Sequence, residues 1–151
     1  MWQRIQTVWL LLVGLLMALF AFQDIAVFTL PSGQACILDN WRIYSAVDGA
    51  SLHSVWGIGI LSVLTALGSL ALIFLYKRRI LQMRLTILTL LVILGELIYI
   101  AWASWQFCTE NDASFAVRFP LAPIICLPLL YLASRRMIYD ETLVRASQRL
   151  R

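Results

Sequence analysis

The stretch SVWGIGILSVLTALGSLALIFLY, residues 54–76, decides the fold class, because it contains no charged side chain. A helix that crosses a bilayer needs about 20 mostly apolar residues, and this run meets that length. Three further windows have the same character: residues 7–28, 85–106 and 114–133. We therefore predict an all-α protein, an integral membrane four-helix bundle forming a single domain over residues 1–151.

Unlike the second window, the other three contain charged residues. The first carries Gln23 and Asp24 near its end, and the third carries Glu96 near its middle. The fourth carries Arg118 near its start and contains three prolines, Pro120, Pro123 and Pro128. Prolines inside a membrane span free backbone carbonyls that neighbouring helices must help to satisfy, so this span is expected to be broken.

The composition excludes several classes of protein. Of the 151 residues, 62% are apolar and 13% are charged, with a mean hydropathy of +0.84. Soluble domains carry about 45–50% apolar and about 25% charged residues. An ordinary cytosolic enzyme, a secreted disulfide miniprotein and a disordered tail are therefore excluded. The net charge of +4 is not interpreted as a nucleic-acid footprint, and no nucleic-acid partner is predicted.

Basic residues predict the orientation in the membrane, because positively charged segments are retained on the cytoplasmic side. With both termini cytoplasmic, ten of the twelve basic residues fall inside: Arg4, Lys77, Arg78, Arg79, Arg84, Arg135, Arg136, Arg145, Arg149 and Arg151. The outer loops keep two basic residues and five acids: Arg42, Arg118, Asp24, Asp39, Asp48, Glu110 and Asp112. We predict a multi-pass protein with both termini in the cytoplasm.

Two of the three cysteines fall on the predicted outer side. Cys36 lies in the first outer loop and Cys108 in the second, whereas Cys126 lies within the fourth span. Thiols on an oxidising face can pair, so a disulfide between Cys36 and Cys108 and two unpaired thiols are both left open. Cys126 is expected to behave as a small buried apolar residue.

Glu96 is the acid placed near the middle of a span, where an ionised carboxylate costs of order 2.5 kcal/mol or more. Two readings are open. A neutral Glu96 can hydrogen-bond hydroxyl groups of the second span, with Ser62, Thr65 and Ser69 as the expected partners. Alternatively, Glu96 handles a proton or a cation.

No sequence motif indicates catalysis. His53 has no neighbouring acid or cysteine cluster and is interpreted as an interfacial residue rather than a metal ligand. The sequence lacks a glycine-rich phosphate loop, a nucleophile elbow and a paired-histidine motif. We therefore predict no enzyme activity, no cofactor and no metal site.

The segment after the fourth span, residues 134–151, keeps helical spacing. Tyr139, Leu143, Ala146 and Leu150 form a narrow apolar stripe, and a Glu141–Arg145 pair has favourable i, i+4 spacing. The sequence predicts an amphipathic helical tail that lies on lipid headgroups or docks on a partner.

Three short motifs resemble a known family. They are the opening Gln3-Arg4-Ile5-Gln6-Thr7, the loop Arg79-Ile80-Leu81-Gln82-Met83-Arg84-Leu85, and the closing segment from Asp140 to Arg151. Together with length and layout they are similar to the small membrane proteins catalogued as domain of unknown function 4293, from bacteria of the Bacteroidetes group. The resemblance implies a four-span protein of the inner membrane with a periplasm outside it, and it says almost nothing about activity.

These motifs lie on the predicted cytoplasmic side, which leads to a functional prediction. We predict a non-enzymatic accessory or scaffold subunit that binds the lipid bilayer and engages a membrane or cytoplasmic protein. The candidate partner- or lipid-binding face consists of Arg4, Arg79, Gln82, Arg84, Asp140, Glu141, Arg145, Arg149 and Arg151. The alternative is a small transporter or channel component in which Glu96 and the proline-broken fourth helix line a path.

Overall fold

The computed structural model describes residues 3–75, 78–117 and 121–149. Within these residues the chain forms four helices and five short strands. The helices are α1 (Gln3–Phe20), α2 (Trp56–Phe74), α3 (Arg79–Asn111) and α4 (Leu121–Arg149). The strands are β1 (Ala26–Thr29), β2 (Ala35–Leu38), β3 (Arg42–Ser45), β4 (Ser51–Ser54) and β5 (Ser114–Val117).

The four helices pack side by side. α1 packs against α2 and α4, and α3 packs against the same two helices. Three of them contain segments that are long and apolar enough to cross a membrane: Trp56–Phe74, Ile80–Asn111 and Leu121–Tyr139. The apolar segment of α1, Thr7–Phe20, is shorter than these three segments.

The all-α prediction is corrected by a five-stranded antiparallel sheet with the strand order β4-β3-β2-β1-β5. The last part of the predicted first span, residues 7–28, is therefore not helical: α1 ends at Phe20, and β1 begins at Ala26. The predicted fourth span likewise begins with β5 rather than with helix. Both segments are apolar enough to read as membrane spans, yet both form β-ladder hydrogen bonds.

All strands lie at one end of the helices. α1 leads into β1, α2 follows β4, and β5 lies between α3 and α4. We call this end the sheet end. The opposite end contains the start of α1, the connection between α2 and α3, and the last turns of α4, and we call it the basic end.

Alternating apolar side chains fix the sheet on the helices. Ala26 and Phe28 of β1 and Cys36 and Leu38 of β2 are buried, as period-two spacing requires. The Phe28 ring lies 4.9 Å from the Phe107 ring of α3, measured between centroids. The buried face of the sheet therefore packs against the helices.

The fourth helix is continuous, in contrast to the expected break. α4 includes Pro128 in its interior and extends from Leu121 to Arg149 in one element. The predicted tail from residue 134 is thus, up to Arg149, part of the same helix. The proline-broken path through the fourth helix is not present in the described backbone.

Candidate functional site

Glu96 lies in the middle of α3, and its side chain is completely buried. Its Oε1 atom is hydrogen-bonded to Oγ of Ser62 on α2. Of the three hydroxyl partners expected from the sequence, Ser62 is therefore the one that the structure brings to Glu96. Thr65 instead donates to the backbone carbonyl of Leu61 at 2.8 Å, within its own helix.

Asn40 joins the same group from the sheet end. It lies between β2 and β3, is completely buried, and its Oδ1 atom is 3.1 Å from Oγ of Ser62. Its Nδ2 atom donates to the carbonyl of Phe20 at 2.6 Å and to that of Gln23 at 3.2 Å. The side chain therefore links the loop to the end of α1 and to α2. We call Asn40, Ser62 and Glu96 the buried polar cluster.

The backbone of the same loop caps α2. The N–H of Gly59 donates to the carbonyl oxygen of Asn40 at 2.7 Å. N–H groups in the first turn of a helix have no partner within the helix, so an outside carbonyl satisfies one of them. The next residue, Trp41, lies directly over Gly59, where a methyl group would be 2.7–2.8 Å from three ring carbons. Only glycine allows this close approach.

Sequence reasoning missed Asn40 and Trp41. Both lie in a loop that follows a strand, and the pairing of that strand is not visible in the hydropathy. The sequence signal for this loop is Asp39, which begins the turn. Its Oδ1 atom accepts hydrogen bonds from the backbone N–H groups of Trp41 and Arg42, both at 2.6 Å. An aspartate that begins a tight turn is a recognisable pattern. It does not reveal the contact with Ser62.

Three buried oxygen atoms have no hydrogen-bond partner among the described residues. They are Oε2 of Glu96, Oγ of Ser69 and Oγ of Ser104. An unpaired buried polar atom is costly, and such atoms in a folded protein need an explanation. Ser69, the third partner expected from the sequence, therefore does not bond Glu96.

The cysteines do not support a disulfide. Cys36, Cys108 and Cys126 are all free thiols, and Cys36 and Cys126 are buried. Cys36 lies in β2, in register with Phe28 on one side and Ser45 on the other. Burial raises the pKa of the Cys36 thiol, which makes it a poor nucleophile. Cys126 is buried, as the sequence predicts, and its Sγ is 4.0 Å from the carbonyl of Val13.

His53 lies on the exposed strand β4, at the edge of the sheet. Among the described residues there is no group of three or more His, Cys, Asp or Glu side chains that could hold a metal ion.

Of the two side chains of the candidate partner-binding face that the structure describes, Gln82 is buried. Its Nε2 atom donates to the carbonyl of Leu72 at 3.0 Å, near the end of α2. Gln82 therefore fixes the connection between α2 and α3 and is not available on the surface. Arg84 is exposed two residues later. The remaining side chains of the predicted face lie outside the described residues: Arg4, Arg79, Asp140, Glu141, Arg145, Arg149 and Arg151.

An apolar groove of about 380 Å³ lies between α2 and α3. Leu64, Gly68 and Leu72 line it from α2, and Leu88 and Val92 from α3. Its lining does not include Glu96, so the groove and the buried polar cluster are separate features.

Comparison with curated proteins and with solved structures finds no match for this chain. The profile of one protein family matches residues 2–150, which is nearly the full length. The chain therefore belongs to the family described as domain of unknown function DUF4293.

Proposed function

We propose that this protein is a non-enzymatic accessory subunit of the bacterial inner membrane, with the sheet end in the periplasm and the basic end in the cytoplasm. The observation that carries the proposal is the charge difference between the two ends. Asp24, Asp48 and Asp112 are exposed at the sheet end, whereas Arg78, Arg84, Arg135 and Arg136 are exposed at or near the basic end. Basic residues are retained in the cytoplasm during insertion.

Helix length supports a cytoplasmic extension. α4 has 29 residues, and at about 1.5 Å per residue it is about 44 Å long, compared with about 30 Å for the hydrocarbon core. Its membrane-crossing segment ends at Tyr139. The following ten residues to Arg149 project beyond the membrane as a helix and supply the partner surface.

In this arrangement α1 also spans the membrane, in addition to α2, α3 and α4. It has 18 residues, which correspond to about 27 Å, close to the thickness of the hydrocarbon core. It packs between α2 and α4 and leads directly to the sheet end. A four-span protein with both termini in the cytoplasm follows.

Orientation can be tested with single cysteines in a variant that lacks the three natural ones. Asp48→Cys lies at the sheet end, and Thr142→Cys lies on the exposed part of α4 beyond Tyr139. In intact spheroplasts, a membrane-impermeant maleimide is expected to label position 48 and to label position 142 only after permeabilisation. The reverse pattern would overturn the orientation.

The partner can be tested by affinity purification in mild detergent after cross-linking in cells. We expect the full chain to retain a partner protein and the Arg145→Glu, Arg149→Glu double variant to lose it. The control is Asp48→Lys, a charge change at the sheet end, which is expected to retain the partner. A full chain that elutes alone, or a partner that both variants retain equally, contradicts the accessory role.

A second candidate function, a small transporter or channel component, has one observation in its favour. Glu96 is completely buried in a candidate membrane span, and one of its oxygens has no partner. Intramembrane acids often mark ion pathways. Proteoliposomes with an internal pH dye test it: proton flux in the native protein that Glu96→Gln abolishes would favour this function over the accessory role.

A further inference from the structure

We propose that Asn40, Ser62 and Glu96 form a proton-binding site, at which a proton on Glu96 holds the loop between β2 and β3 against the helices. This inference goes beyond the accessory role and does not depend on a partner. It rests on the number of hydrogen atoms that are needed to make hydrogen bonds of the contacts among these three side chains.

The orientation of the Asn40 amide is fixed by two carbonyl groups. One side of the amide lies 2.6 Å from the carbonyl oxygen of Phe20 and 3.2 Å from that of Gln23. Carbonyl oxygens only accept hydrogen bonds, so the NH₂ group must point toward them. A flipped amide would place two oxygen atoms 2.6 Å apart. The Oδ1 atom of Asn40 therefore points toward Ser62 and can only accept.

Ser62 has one hydroxyl hydrogen but two oxygen neighbours. Its Oγ contacts Oδ1 of Asn40 at 3.1 Å and Oε1 of Glu96. If Glu96 were a carboxylate, both neighbours would be acceptors, and one contact would bring two oxygens together without a hydrogen between them. A protonated Glu96 resolves the conflict. It donates from Oε1 to Ser62, and Ser62 donates to Asn40.

The surroundings offer Glu96 no countercharge among the described residues. The hydroxyl of Ser62 contacts it from α2, and the thiol of Cys126 on α4 lies within electrostatic range. Asn40 approaches through Ser62 from the sheet end, and the α1 group in this network is the backbone carbonyl of Phe20. A buried carboxylate without a cationic partner is strongly disfavoured relative to the neutral acid. Neutral Glu96 therefore agrees with both the contacts and the environment.

Loss of the proton changes the connections of the loop. The O–H bond of Glu96 breaks, the proton passes to water, and the bonding electrons stay on the carboxylate. The Ser62 hydroxyl then turns to donate to Glu96, because a charged acceptor forms the stronger hydrogen bond. Asn40 Oδ1 loses its donor in a buried site. The loop is thus held by one contact fewer when Glu96 is ionised.

Infrared spectroscopy tests the proton directly. The other seven acids lie outside the predicted centres of the spans. The native protein in detergent at pH 7 is expected to show the carbonyl stretch of a protonated carboxyl group, with a shift in D₂O. Glu96→Gln should lack this band. A native protein without the band, or a band that persists in Glu96→Gln, overturns the proposal.

Hydrogen exchange tests the coupling to the loop. The reporter is the N–H of Gly59, which donates to Asn40. Its exchange, corrected for the intrinsic pH dependence, is expected to accelerate at least tenfold at alkaline pH in the native protein. Glu96→Gln should show no such acceleration, because a glutamine amide donates to Ser62 at every pH. Ser69→Ala, which removes another buried hydroxyl of α2, is the matched control and should behave like the native protein.

The outcomes separate this proposal from the accessory role. Equal pH dependence in the native protein and in Glu96→Gln overturns the coupling whether or not a partner copurifies. If Glu96→Gln does not fold, the infrared band and its D₂O shift in the native protein still decide the protonation state. In Ser62→Ala, the Gly59 N–H is expected to exchange rapidly at every pH, because this variant removes the link between Glu96 and Asn40.

Discussion

Substitution of Gly59 by alanine tests how the loop between β2 and β3 docks on α2. The added methyl group would lie 2.7–2.8 Å from three carbons of the Trp41 indole, well inside van der Waals contact. The Trp41 backbone cannot move away easily. Its N–H donates to Asp39, and its carbonyl accepts from Val55 at 2.9 Å. The indole must therefore rotate off the helix.

The cost can be worked out from the area that Trp41 covers. A tryptophan side chain buries at most about 250 Å². Because 45% of Trp41 is exposed, its contacts cover about 140 Å² and contribute up to about 3 kcal/mol. Partial displacement is expected to lose about 2–3 kcal/mol, which is near the upper end of measured overpacking costs. Alanine recovers up to about 1 kcal/mol of helix propensity. The expected net destabilisation is about 1–2 kcal/mol.

The assay is reversible unfolding in detergent micelles, which gives the free energy of unfolding of each variant. Gly95→Ala is the matched control, since a methyl group there meets no atom within 4 Å. We expect this variant to be as stable as the native protein or slightly more stable. A Trp41→Ala background should remove the penalty of Gly59→Ala, as a double-mutant cycle detects. Equal stabilities of Gly59→Ala and Gly95→Ala, or a penalty that persists without Trp41, would refute the reasoning.

Three further predictions concern other buried contacts. Asn40→Ala removes both donors to the end of α1 and is expected to lower the free energy of unfolding by about 2–3 kcal/mol; a loss below about 0.5 kcal/mol would contradict the role of this side chain. The Cys36 thiol, whose pKa is raised by burial, should react with a maleimide only after denaturation, as measured by mass spectrometry, and rapid labelling of the folded protein would count against its burial. Gln82→Ala should cost about 1 kcal/mol and the exposed neighbour Arg84→Ala less than about 0.5 kcal/mol in the same unfolding assay, so equal losses would argue against the bond to Leu72.

The helices that are long and apolar enough to cross a membrane are the most predictable part of the fold. Residues 54–76 and 85–106 were expected to be helical, and α2 and α3 cover nearly all of both windows. The length of an apolar run is sufficient to predict these helices, because a backbone in lipid has few alternatives to a helix. Hydropathy does not predict the structure correctly where an apolar run continues past the end of a helix into a strand. Ala26, Val27 and Phe28 fall within the predicted first span, yet they pair with β2 and β5.

The buried polar cluster was only partly predictable. An acid in one span and serines in the neighbouring span suggest an interhelical hydrogen bond, and Ser62 forms it with Glu96. The approach of Asn40 depends on how the sheet folds back over the helices. That contact joins residues 22 positions apart in the chain through tertiary packing, which periodicity does not encode. The buried role of Gln82 was missed for the same reason.

The position of β5 has a consequence for biogenesis. The strands β1 to β4 lie between the first two helices, but β5 is made only after α3, and it pairs with the outer edge of β1. During synthesis that edge therefore stays open until the ribosome has produced about three quarters of the chain. An unpaired strand edge is a template for wrong pairing. β5 therefore completes the sheet only after α1, α2 and α3 have been synthesised, so the sheet end matures late.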